Sequence, residues 1–182
     1  ALAHGRADLA DGRLLHDSGR QVPFLMERLD EPLAMDLPVP DPMAPPDGSA
    51  PVAGRSWYRI PLPLPGLPAS RLVLRTSGRV FERHVTAAAF RTAPDGRGGP
   101  RTVVLAQAAW VHADPAREAP ELTLSLPPLP EAEVLLSIAE GDNAPLPLGP
   151  AEILLPAHRL RFFPPAQGTV TFSTNGNFTY AP

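Results

Sequence analysis

Residues 134–155 read VLLSIAEGDNAPLPLGPAEILL. The opening run, Val134 to Ile138, is nearly all apolar, as expected of a strand buried on both faces. Glu140-Gly141-Asp142-Asn143 then interrupts it with residue types that turn the chain. Pro145 and Pro147 hold the exit extended, and a second apolar strand starts near Ala151. We read the stretch as the corner between two late strands of a β-sandwich.

The neighbouring segments repeat the pattern. ELTLSL (121–126) alternates with Leu122, Leu124 and Leu126 on one face. WYRIPLPL (57–64), RLVLRTS (71–77), VFERHVTAAAFRT (80–92) and RTVVLAQAAWVHA (101–113) are further strands. APDGRGGP (93–100) supplies a glycine-rich connection between the last two. AEILLPAHRLRFF (151–163) gives two strands, or one broken at Pro156. TVTFSTNGNFTYA (169–181) places Asn175-Gly176 between two alternating arms, a strong hairpin signal. Strands at this even spacing predict an all-β fold, an antiparallel sandwich or jelly roll.

Upstream, DLADGRLLHDSGRQVPFLMERLD (8–30) predicts a hairpin turning at Asp17-Ser18-Gly19-Arg20, possible tail of a preceding sandwich. Residues 31–56 are rich in Pro, Ala, Asp and Gly without a sustained period, and are expected to be a linker or long loop. The predicted organisation is therefore a hairpin over 1–30, a proline-rich linker over 31–56, and a sandwich over 57–182.

Composition agrees with this class. Of 182 residues 26 are proline, which argues against long helices and suits strand ends and edges. All 16 basic residues are arginine and the net charge is −3, with no basic run, so nucleic acid is not an expected partner. The lack of cysteine removes disulfides and thiolate chemistry. No apolar run is long enough to span a bilayer as a helix. The chain begins at Ala1, and we expect a processed or excised piece of a longer protein.

Catalytic and metal signals are sparse. The five histidines are scattered without ligand spacing. His16-Asp17-Ser18 holds the residue types of a hydrolytic triad, but adjacent residues in a tight turn are not expected to reach triad geometry. No G-x-S-x-G elbow, phosphate loop, H-E-x-x-H or G-x-G-x-x-G occurs. We therefore expect no enzyme and no cofactor. Glu140, Asp142 and Asn143 are hard-oxygen side chains close enough in sequence to contribute to a Ca²⁺ site. The competing reading has Asp142 and Asn143 bonding their own backbone at a strand end, and that is the reading favoured here. Trp57, Tyr58, Trp110, Phe162, Phe163, Phe178 and Tyr180 are expected mostly in the core or on sheet faces.

The order WYRIPLPLPGLPASRLVLRTSGRVFERHVTAAAF, a glycine-rich turn, a strand with Trp110, then LLSIAEGDNAPLPLGPAEI is similar to a galactose-binding-like (discoidin-type) jelly roll. DLADGRLLHDSGRQVPFLMERLD and EGDNAPLPLGPAEI also resemble a bacterial family of envelope proteins, domain of unknown function 3999. That resemblance implies tandem β-sandwich modules, a periplasmic setting and membrane anchoring through segments outside this chain. QGTVTFSTNGNFTYAP in addition resembles the closing hairpin of bacterial cadherin-like adhesin repeats.

These resemblances imply a non-catalytic module of the cell envelope that recognises a glycan or a protein partner. The alternative is a structural or assembly scaffold without a small ligand. The expected binding loops are 77–80, 93–101 and 140–149. Arg79, Trp110, Asp142 and Asn143 are the expected ligand-binding residues, pairing an aromatic platform with planar polar groups.

Overall fold

The computed structural model describes residues 12–46, 48, 50–91 and 101–173, and the backbone of 177–180. Strands and turns, with no helix, make up these residues. The strands are β1 (Arg13–His16), β2 (Phe24–Arg28), β3 (Leu33–Asp36), β4 (Asp41–Met43), β5 (Arg55–Pro61), β6 (Ser70–Leu74) and β7 (Phe81–Arg91). They continue with β8 (Arg101–His112), β9 (Leu122–Leu126), β10 (Glu133–Ala139), β11 (Glu152–Leu155), β12 (His158–Phe162), β13 (Val170–Ser173) and β14 (Asn177–Tyr180).

All pairings are antiparallel. A five-stranded sheet has the order β4-β5-β10-β7-β8, and a four-stranded sheet the order β3-β11-β6-β9. They face each other across one apolar core. Tyr58, Ile60, Val85, Ala87, Val134, Leu136 and Ile138 come from the first sheet, and Leu72, Leu74, Leu122, Leu124, Leu126 and Ile153 from the second. The fold is thus the all-β sandwich that alternation predicted.

Each pattern finds its cause in position. β9 alternates between buried and exposed because only one of its faces meets the core. β10 lies between β5 and β7 and is buried along almost its whole length, which is why its sequence hardly alternates. β7 and β8 form the longest pairing, and the register shifts at Ala87/Ala88, leaving Leu105 as the extra residue of a β-bulge.

The predicted domain boundaries need correcting. Residues 31–56 are not a linker, since they contain β3 and β4, one edge strand for each sheet of the sandwich. Proline density suggested a loop, but an edge strand has a free side on which proline removes no ladder hydrogen bond. Pro42 sits inside β4 on that basis, opposite Tyr58.

The expected N-terminal hairpin is present but short, its arms bridging at Leu15 and Gln21. The turn exists, with the Gly19 N–H donating to the His16 carbonyl at 2.8 Å. The arms stay joined as far as the Val22 N–H, which donates to the Leu14 carbonyl at 2.7 Å, and only then part: β1 pairs on its other side with β13, and β2 with β12. The two ends of the chain therefore fold together beside the sandwich, as the sheets β1-β13-β14 and β12-β2. Phe24 and Phe172 connect these small sheets edge to face, with ring centroids 5.8 Å apart. Pro156 breaks the 151–163 segment, so that β11 belongs to the sandwich and β12 to the small sheet.

His16 and Asp17 fasten the first turn to residues 167–169. The Asp17 N–H donates to the Thr169 carbonyl at 3.1 Å, and the Thr169 N–H returns to Asp17 Oδ2 at 3.2 Å. Gly168, at φ +91°, passes so close that a Cβ would lie 2.5 Å from His16 Nε2 and 2.6 Å from Asp17 Oδ2. Gly168→Ala is therefore expected to cost about 1–3 kcal/mol through backbone strain and loss of this fastening. Urea unfolding reads the loss, and an unchanged midpoint would refute the account.

Candidate functional site

The EGDN corner is built from the backbone outward. The N–H groups of Glu140 and Gly141 both donate to the Gly54 carbonyl, at 2.7 and 3.1 Å. Gly54 has φ +72°, and a Cβ there would lie 2.4 Å from the Gly141 oxygen, so only glycine lets the two chains meet. Asn143 closes the turn, its N–H and its Nδ2 both donating to the Glu140 carbonyl, at 3.2 and 3.0 Å.

The Glu140 side chain turns inward and is only 3% exposed. Its carboxylate accepts from Arg83 Nε at 2.7 Å and from the Leu146 N–H at 3.2 Å. Arg83, also buried, spends a further donor on the Glu82 carbonyl at 2.9 Å. This ion pair stands at the margin of the core. Burial pushes the pKa of the nearby Tyr58 hydroxyl above its ordinary value; a hydrogen bond with Ser56 pulls it back, and the Glu140 charge adds to the rise. Glu140 is thus committed to Arg83 and Leu146, not held ready beside Asp142 for a cation. Among the described residues, no group of three or more His, Asp or Glu side chains could hold a metal ion.

The 75–80 loop is fastened to the same corner. Thr76 Oγ1 donates to the Pro147 carbonyl at 2.6 Å, and the Gly149 N–H to the Arg75 carbonyl at 2.9 Å. Arg75 in turn reaches Glu121 at 2.6 Å and Glu152 at 2.9 Å, and these hydrogen bonds hold its guanidinium pKa above the usual value. Two of the expected binding loops, 77–80 and 140–149, thus lie together at one end of the sandwich. Arg79, Asp142 and Asn143 are exposed there. Residues 93–100 lie outside the described residues. The strands flanking them meet at Arg91 and Arg101, the opposite end of the β7–β8 pair from Phe81 and His112.

Trp110 is at the loop end but inside the protein, 2% exposed. Its ring meets Phe81 edge to face at 5.5 Å, and its Nε1 donates to the Pro120 carbonyl at 2.9 Å. No face of the indole is available for a sugar to stack on. Trp57 is half-buried, opposite Met43, in a shallow hollow of about 240 Å³ that includes Pro42, Pro45, Pro51 and Pro145.

His16, Asp17 and Ser18 touch one another, but without the geometry of a triad. Ser18 Oγ at 2.7 Å and Asp17 Oδ1 at 3.0 Å both approach His16 Nδ1. Nε2 is taken by the Gln167 carbonyl at 2.9 Å. A triad needs the hydroxyl and the carboxylate on opposite ring nitrogens, and here they share one.

A larger concavity than the Trp57 hollow lies elsewhere, where the β12-β2 sheet meets the sandwich. An open cleft of about 730 Å³ is walled on one side by Met26, Arg28 and His158, and on the other by Ser70, Arg71, Ser125 and Leu154. His158 and Arg28 are direct cross-strand partners, as are Arg71 and Leu154. No local sequence signal marks this site, because its residues come from β2, β6, β9, β11 and β12, and β2 is brought there by its pairing with β12. Comparison of the chain with protein families, with curated proteins and with solved structures returns no match.

Proposed function

We propose that the protein is a non-catalytic binding module of a bacterial cell-envelope protein, and that its binding surface is the cleft between the β12-β2 sheet and the sandwich. The observation that carries this reading is the cleft itself. At about 730 Å³ it falls within the range of small-molecule sites, and it combines an apolar lining with a few polar groups. The envelope setting rests on the resemblance of the EGDNAPLPLGPAEI and 8–30 segments to the envelope family named above, and the galactose-binding-like subtype of the sandwich on the order of segments from Trp57 to Ile153.

A scaffold without a small ligand is the second reading. It is favoured by the burial of Trp110 and by the loop end, where Glu140 and Asn143 are engaged with their own fold.

A thermal-shift panel of glycans (with and without Ca²⁺), amphiphiles and small anions separates the two. The test compares the wild type with Ser125→Trp, which puts bulk into the cleft from an exposed position on the edge strand β9. The binding-module reading expects at least one class to raise the wild-type Tm and to leave Ser125→Trp unmoved. A panel that stabilises neither protein would favour the scaffold.

A further inference from the structure

We propose that this cleft takes an anionic amphiphile, a carboxylate or phosphate head joined to an apolar body; the proposal rests on the binding-module reading and names its ligand. Charge is the first observation. Arg28, with His158 opposite it, stands on one wall and Arg71 on the other, while Asp30 is the one acidic residue of the lining. Neither arginine enters an ion pair with another described residue. On a chain of net charge −3, two guanidinium groups free of ion pairs against one carboxylate in the same cleft are a local reversal of sign. Their planar donor forks match carboxylate and phosphate oxygens.

Ser70 supplies the second observation. It is 7% exposed and lines the cleft, and its Oγ is the one buried side-chain polar atom without a hydrogen-bond partner among the described residues. A hydroxyl kept in that state is destabilising unless a ligand or water satisfies it. Between the polar groups, Met26, Leu126, Leu154 and Leu155 offer an apolar surface suited to a hydrocarbon body.

The test is calorimetric titration of the full chain with decanoate and with decyl phosphate, both below micelle formation, beside acetate, inorganic phosphate and decyltrimethylammonium. At least one anionic amphiphile is expected to bind, and the stronger of the two identifies the head group. The isolated heads and the cationic amphiphile are expected to bind far more weakly. Arg28→Glu and Arg71→Glu are each expected to weaken binding roughly tenfold or more, and Ser125→Trp to abolish it. Should charge reversal disturb folding, Arg28→Gln and Arg71→Gln carry the same test with a smaller expected loss.

Equal binding by the wild type and the arginine variants, or by the cationic amphiphile, would overturn the proposal. If both anionic amphiphiles were silent while another compound stabilised the wild type but not Ser125→Trp, the ligand assignment would fall and the binding-module reading would stand. Silence from every class would overturn both.

Discussion

Replacing Glu140 with alanine is expected to destabilise the protein by about 3–5 kcal/mol, since it leaves the buried Arg83 guanidinium without its countercharge. The Leu146 N–H loses its acceptor in the same substitution. Removing both charges should be far milder. In Arg83→Met/Glu140→Gln the amide oxygen still accepts from Leu146, and a flexible apolar chain replaces the guanidinium. We expect this double variant to recover most of the loss, because the desolvation of two charges offsets much of their attraction. Urea unfolding of Glu140→Ala, of each single change and of the double variant closes the cycle. A Glu140→Ala cost below about 1 kcal/mol would show that the pair does not fix the corner.

That pair was open to discovery in the sequence by parity. Phe81, Arg83, Val85 and Ala87 occupy one face of β7, and Val134, Leu136, Ile138 and Glu140 one face along β10 and its exit. Each series is apolar except for one charge, and the two strands are neighbours. Taking Glu140 as part of the polar turn obscured this, although its backbone turns while its side chain follows the strand. The existence of β9, β10 and the β13–β14 pairing was legible because alternation and apolar runs are local signals. What alternation does not encode is the partner. β1 pairs with β13 and β2 with β12 across almost the whole chain, so neither the union of the two ends nor the cleft beside it is written in any short motif. Proline misled for a related reason. It marks where a hydrogen-bond donor is missing, which is equally true of a loop and of the outer side of an edge strand such as β4.

Trp110 provides the sharpest test of where binding does not occur. Its side chain is enclosed between Phe81 and the Pro120 carbonyl, so Trp110→Ala is expected to cost about 3–5 kcal/mol through loss of burial and the cavity left behind. Trp110→Phe retains most of the volume but leaves the Pro120 carbonyl without its donor, and about 1–2 kcal/mol is expected. The chain has two tryptophans, and Trp57 is the more exposed. In Trp57→Phe the remaining emission, from Trp110 alone, should be blue-shifted and resist acrylamide quenching. A binding platform behaves in the opposite way: its removal weakens ligand affinity, changes stability little, and its indole is open to quencher. Ready quenching of Trp110, or a Trp110→Ala variant as stable as the wild type, would return the loop end to consideration as a stacking site. The expected result instead assigns Trp110 to the joint between the sheets, where it ties the start of β7 and the end of β8 to the segment that leads into β9.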